Sequence, residues 1–216
     1  KRSFRKLSLH SKVVITTTVA LLVIGTLLLK ATENISWLGG FFQSVSARTA
    51  GFSTYAIGEF SNAGLFTLII LMFIGASPGS TGGGIKTSTF FVLMQQVRSL
   101  FTKKHIGAFR RSIPSEALSK ACTISLLSVL LVCAGTFLLC VIEPECSFVH
   151  LLFEEVSAFG TVGLSTGITP DLCEGSKLIL IFTMFAGRVG TFTLLSIWID
   201  RPSPSVHYTE ESITIG

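Results

Sequence analysis

Thr49-Ala50-Gly51-Phe52-Ser53-Thr54 and Thr161-Val162-Gly163-Leu164-Ser165-Thr166 are two versions of one hexapeptide. Met72-Phe73-Ile74-Gly75 returns as Met184-Phe185-Ala186-Gly187 at the same spacing that separates Gly51 from Gly163. Val45-Ser46-Ala47 returns as Val156-Ser157-Ala158 one position sooner, so the second copy gains a residue between Ala158 and Thr161. Self-similarity at a fixed spacing marks one supersecondary unit used twice.

Outward from each hexapeptide the sequence is apolar. Val13–Leu29 is long enough to cross a bilayer, and at the hexapeptide spacing it falls on Ser125–Val141, within a second full run, Ala121–Ile142. Ile35–Ala47 and Ser147–Phe159, ahead of the hexapeptides, are too short to cross. Ala63–Gly75 and Leu178–Ile199 follow them. The first halts at Ala76-Ser77-Pro78-Gly79-Ser80-Thr81-Gly82-Gly83-Gly84 before helical composition resumes over Thr87–Val97; the second is interrupted by Gly187-Arg188-Val189-Gly190. Each copy thus reads span, short helix, Thr-x-Gly turn, second span. Two crossings per copy return the chain to its starting side, so the copies run parallel about an axis normal to the membrane, whereas inverted repeats need an odd number. The expected fold is all-α and transmembrane, with two parallel span–pore-helix–span repeats. Residues 1–112 form a repeat with a broken second span (loop 76–86), 113–200 the other repeat, and 201–216 a polar cytoplasmic tail.

Composition agrees. Of 216 residues, 49% are hydrophobic and 13% charged, against roughly a quarter charged in a soluble domain. The 18 Phe exclude disorder, because so much apolar surface drives collapse. The net charge of +5 is not spread as a nucleic-acid surface would be. Lys1, Arg2, Arg5, Lys6 and Lys12 crowd the start, and Arg98, Lys103, Lys104, Arg110, Arg111 and Lys120 crowd the middle, both clusters abutting apolar runs. That is how cytoplasmic loops look under the positive-inside rule. It predicts residues 103–111 inside and Asp171–Lys177 outside, with no nucleic acid as partner. The basic start and Val13–Leu29 imitate a leader, but no small-residue cleavage site follows Leu29-Lys30-Ala31. With no initiator Met, Lys1 is expected to lie inside a longer protein.

The turns carry the chemistry. Non-helical backbone survives at membrane depth only where protein buries it or water fills a cavity. A short helix ending in an extended Gly-containing stretch aims carbonyl oxygens at an axis, where they can replace an ion's hydration shell. Helix C-termini near Ala47 and Phe159 would add partial negative charge. A bare pair of turns joining helices is the plain alternative. The candidate filter residues are Thr49, Ala50, Gly51 and Phe52, with Thr161, Val162, Gly163 and Leu164. Only backbone would touch the ion, so no cofactor or other metal site is expected, and His10, His105, His150 and His207 are scattered. Gly79–Gly84 imitates a phosphate-binding loop, but Ile85 stands where that motif requires Lys, and no strand precedes it.

Arg48-Thr49-Ala50-Gly51-Phe52-Ser53-Thr54, the stretch Ser77–Thr87 and Gly187-Arg188-Val189-Gly190 together resemble the Trk/Ktr/HKT superfamily of potassium transporters. The resemblance covers nearly the whole chain as the third and fourth of four repeats, half of a pore built like a potassium channel. It implies potassium uptake, with the first two repeats elsewhere in the same protein. It also implies a homodimer in the cell (inner or plasma) membrane and a cytoplasmic nucleotide-binding regulatory ring. It assigns a gate to the intramembrane loop of Ser77, Pro78, Gly79, Ser80, Thr81, Gly82, Gly83 and Gly84, and to Arg188. The alternatives are a kinked helix for the loop and an ion pair for Arg188. For the whole chain they are a sodium-selective or sodium-coupled carrier, or a non-conducting truncated remnant.

Arg48 is expected to brace the first filter segment from behind, against Glu154 or Glu155, since a cation within a cation filter would block it. Lys86 would cap the loop or reach the cytoplasmic vestibule. Cys122, Cys133 and Cys140 read as packing residues of one helix. Cys146 and Cys173, flanking the second pore segment, could form a disulfide if the compartment is oxidising.

Overall fold

A computed structural model describes residues 7–102, 107–109, 111–190 and 193. Lys103, Lys104 and Arg110 of the central basic cluster, and the expected tail 201–216, lie outside the described residues. The helices are α1 (Leu9–Thr32), α2 (Trp37–Ser46), α3 (Asn62–Phe73), α4 (Thr87–Thr102), α5 (Ser115–Ile142), α6 (Phe148–Gly160) and α7 (Glu174–Val189). A short β-hairpin, β1 (Gly107–Ala108) with β2 (Arg111–Ser112), joins α4 to α5. The glycine-rich stretch does break the helix of the first copy: α3 ends at Phe73 and α4 begins at Thr87. The run that begins at Leu178 is helical to Val189, and α7 ends at Gly190, whose φ of +91° no helix can continue.

Capping residues mark where helices start. The hydroxyls of Ser8, Ser36 and Ser61 accept from the amides of Ser11, Gly39 and Gly64, satisfying first-turn donors that have no partner within the helix. At the start of α7 the Cys173 thiol does the same for Ser176. Cys146 and Cys173, the possible disulfide pair, are both free thiols here, and the Cys173 sulfur serves as a helix cap.

The two copies match in their ties as well as in their order. Glu33 ends α1, and its Oε1 accepts from Ser61 N at 3.0 Å and Ser61 Oγ at 2.7 Å, fastening the start of α3. Glu143 ends α5, and its Oε1 accepts from Cys173 N at 2.8 Å and Ser176 Oγ at 2.9 Å, fastening the start of α7. Those donors hold the Glu143 carboxyl below its usual range, the Cys173 amide most of all. The step from Glu33 to Glu143 is slightly shorter than the step from Gly51 to Gly163, so the spacing drifts along the repeat.

Packing encloses one short helix and leaves the other half exposed. α2 lies against α1; α6 is enclosed by α3, α5 and α7; α4 packs on α1 and α5. Leu65, Leu68 and Met72 of α3 and Leu151 and Phe153 of α6 are fully buried. α1 and α5 are long and apolar enough to cross a membrane, yet only 28% of the most apolar stretch of each is buried within the chain. Ile24 and Leu27 on α1 and Leu126 and Phe137 on α5 face outward. A core helix of a soluble protein would be mostly covered; these need an apolar neighbour.

Candidate functional site

α2 and α6 each deliver a Thr-x-Gly segment from their C-terminal ends. Thr49 and Thr161 have left-handed backbone, φ +68° and +49°, and Gly51 and Gly163 stand at +80° and +95°. The glycines were legible as positions needing such angles. The threonines were not, because a β-branched residue with positive φ is rare enough that sequence argues against it. The amides of Ala50 and Gly51 both reach Ser46 O, at 3.0 and 3.2 Å, and Val162 N reaches Ser157 O at 2.9 Å. These bonds consume the last helix carbonyls and turn each segment back along its own helix.

Ser46 Oγ donates to Phe52 O, and Ser157 Oγ donates to Leu164 O at 2.6 Å. The carbonyls of Phe52 and Leu164, two of the candidate filter residues, are thus each engaged by a hydroxyl of their own short helix. Among the described residues, the carbonyls of Thr49, Ala50, Gly51, Thr161, Val162 and Gly163 accept no backbone hydrogen bond. The two segments are neighbours: a Cβ on Gly51 would strike the Val162 carbonyl oxygen, and one on Gly163 would reach Gly51 Cα at 3.7 Å. Beside the second segment lies a cleft of about 620 Å³, bordered by Thr161–Leu164, Glu154 and Met184 among others.

The glycine-rich loop seats against both segments. Gly83 N donates to Thr161 Oγ1 at 2.8 Å, and Gly84 N donates to Phe159 O at 3.2 Å. A Cβ on Gly82 would lie 2.7 Å from Thr49 Oγ1. Arg188 Nη1 donates to Thr81 O, and Lys86 Nζ donates to Gly82 O, so two cations hold the loop by its carbonyls. Ser77, Pro78, Gly79 and Ser80 are not brought to the segments; they form a turn closed by Ser80 N to Ser77 O at 3.1 Å, with open space beside Gly79. Arg188 and the loop, which the resemblance names together, are in direct contact. Gly187 packs so closely that a Cβ there would collide with Phe159 O.

Arg48 does not meet Glu154 or Glu155. Its Nη2 donates to Gly75 O at 2.9 Å, bracing the end of α3 where the loop departs. Both glutamates are occupied otherwise. Glu154 accepts from Ser165 Oγ at 2.9 Å, Thr166 N at 2.8 Å, Thr166 Oγ1 at 2.9 Å and Thr169 Oγ1 at 2.7 Å. Glu155 is fully buried and accepts from Thr183 Oγ1 at 2.8 Å, in space left by Gly135. Sequence reasoning missed the roles of Ser46, Ser157 and Gln43, and offered Glu154 only as a partner for Arg48. The signal was present: they occupy matching places in the repeated short helices, polar residues among apolar neighbours.

The chain matches the family described as "TrkH: Cation transport protein" over residues 6–208. The chain belongs to the TrkH cation-transport family. Relatives of TrkH type include the Ktr system potassium uptake protein B of Vibrio alginolyticus, 38% identical over all of this chain and 50% of that protein. The potassium/sodium uptake protein NtpJ of Enterococcus hirae is 38% identical over 98% of this chain and 51% of its own length. The Bacillus subtilis Ktr protein B is 36% identical over 100% and 51%. The chain thus spans about half the length of these curated relatives. The potassium transporter TrkH of Vibrio parahaemolyticus superposes with a TM-score of 0.70 at 22% identity, over 87% of this chain and 43% of its own; it supports the fold alone. A Trk/Ktr pore subunit is an integral membrane transporter and not an enzyme, which agrees with the two outward-facing apolar helices.

Proposed function

We propose that the chain forms two adjacent quadrants of a potassium-conducting pore, each a span–pore-helix–span repeat with α2 and α6 as pore helices. Cations pass along the free carbonyls of Thr49–Gly51 and Thr161–Gly163. The loop Thr81–Gly84, held by Arg188 and Lys86, closes the path below. The observation that carries this reading is the close apposition of Gly51 with the Val162 carbonyl above a loop whose amides are docked on Thr161 and Phe159. Carbonyl dipoles aimed at one axis suit a dehydrated monovalent cation, and the relatives named for potassium uptake are consistent with it. Two further quadrants from the same protein complete the ring, in the cell membrane. A homodimer and a cytoplasmic nucleotide-binding ring are the partners the reading carries with it. A sodium-admitting variant of the same pore is the second reading, favoured by the similarity to a protein named for potassium and sodium uptake.

Initial rates of rubidium uptake, with and without competing sodium, test this in potassium-uptake-deficient cells making the full-length protein. Gly163→Ser should lower potassium preference over sodium, because a side chain at φ +95° disturbs the carbonyl cage. Arg188→Ala should raise uptake by about tenfold, which corresponds to ~1.4 kcal/mol of barrier. Arg188→Lys should change it less, since charge is kept while the forked donor is lost. Unaltered discrimination in the first variant, or wild-type uptake by well-folded Arg188→Ala protein, would overturn the respective assignments.

A further inference from the structure

Gln43 on α2 and Glu154 on α6 occupy the same place in the two copies, each three positions ahead of the matched pair Ser46 and Ser157. Both side chains are buried, Gln43 fully and Glu154 at 5% exposure. Both reach past their Thr-x-Gly segment to the residue beyond it. Gln43 Nε2 donates to Ser53 Oγ at 2.7 Å, and Ser165 Oγ, the counterpart of Ser53 in the second hexapeptide, donates to Glu154 at 2.9 Å. The first copy uses a neutral amide for one bond. The second uses a carboxylate that gathers four donors from Ser165, Thr166 and Thr169. Every one of the four donates, so both carboxylate oxygens act as acceptors only. Charge-assisted bonds of this kind are about twice as strong as neutral ones.

We infer that Glu154 is a specificity-determining positioning residue: it clamps the outer end of the second Thr-x-Gly segment and sets one fixed negative charge beside the ion path. The geometry supports both parts. Val162 N is tied to Ser157 O on the helix side, Leu164 O is tied to the Ser157 hydroxyl, and Glu154 holds Ser165, Thr166 and Thr169 beyond it, so Thr161–Gly163 are anchored before and after. Glu154 also borders the cleft beside those residues, where a carboxylate draws cations in and raises their local concentration. Its counterpart Gln43 gives the first quadrant the clamp without the charge. The pore rim described by these two repeats is therefore electrostatically lopsided. This inference rests on the conduction reading above.

Two substitutions separate clamp from charge in the full-length protein. Glu154→Gln keeps a carbonyl for Ser165 and Thr166 and turns its amide to the rotatable Thr169 hydroxyl, as Gln43 does for Ser53. It should keep potassium-over-sodium preference within about twofold while raising the KM for rubidium about threefold at low ionic strength, an increase that salt abolishes. Glu154→Ala removes the clamp and should lower the preference about tenfold or more, since buried donors lose a charged acceptor. Thr169→Val, which deletes one donor, should fall between wild type and Glu154→Ala. Wild-type preference in folded Glu154→Ala protein, or equal loss in Ala and Gln variants, would overturn the inference. A wild-type protein that takes up neither rubidium nor sodium would instead overturn the conduction reading beneath it.

Discussion

Ser157 is a small residue with a disproportionate task. Its hydroxyl, itself buried, meets the carbonyl of a buried Leu164 at 2.6 Å, and Ser46 does the same for Phe52. Removing the hydroxyl leaves that carbonyl without a partner and without water. Ser157→Ala should therefore destabilise the folded transporter by ~1–3 kcal/mol, read as a lowered unfolding midpoint of the purified full-length protein. Thr123→Ala is the matched control, since that hydroxyl bonds back to Ser119 O on the exposed face of α5, where substitutions stay within about 0.5 kcal/mol. An unchanged midpoint in Ser157→Ala would mean that the segment is held by something other than this bond. Gly51 and Gly163 could be picked out by eye because only one residue type is cheap at their angles. Ser157 could not, because a serine in an apolar helix has many ordinary uses and its partner lies on the far side of a turn.

The helices themselves were legible, since each is bounded by hydropathy and by a cap. The run Val13–Leu29 widens to Leu9–Thr32, Ser147–Phe159 becomes Phe148–Gly160, and the glycine-rich break falls between Phe73 and Thr87. The ties between helix ends were not, because Glu33 and Glu143 look like ordinary solvated acids at the close of a span. Each in fact fastens the start of the helix after next, α3 or α7. For Glu143 the consequence is a pH dependence. Its carboxyl is lowered from an ordinary 4.5 by bonds to Cys173 and Ser176. A depressed pKa means the tie is fully present above pH 4.5 and is lost as pH falls through the lowered folded value. The stability gap between wild type and Glu143→Gln should hold steady from neutral pH to about 5 and close below 4.5. Thermal midpoints of both proteins across that range measure it, and a gap that widens on acidification would refute the tie. Arg48 shows the same limit from the other side. Opposite charge suggested Glu154 or Glu155, but hydroxyls and an amide already hold those acids, and the guanidinium takes a helix-end carbonyl instead.

For the whole molecule, the basic asymmetry fixes a direction across the membrane. Glu174, in the exposed first turn of α7, should be outside, and position 104 inside. With native cysteines replaced, Glu174→Cys should react with an impermeant thiol reagent from outside intact cells, and Lys104→Cys should not. External labelling at 104 would reverse the topology. The two copies are alike in the order of their helices and unequal in their connections. One copy breaks after α3 to make a loop; the other carries α7 on to Val189 and offers, at the close of α6, the helix end on which that loop rests. Gly84 N and the close-packed Gly187 both converge on the Phe159 carbonyl, at the negative pole of a helix whose dipole otherwise favours a cation. On the conduction reading, the barrier and its passenger are rival guests at a single pole. Whatever factor the docked loop takes from cation occupancy there, cation occupancy takes from the docking of the loop. On that same reading, a rise in ion activity works to unlatch the obstacle in its own way.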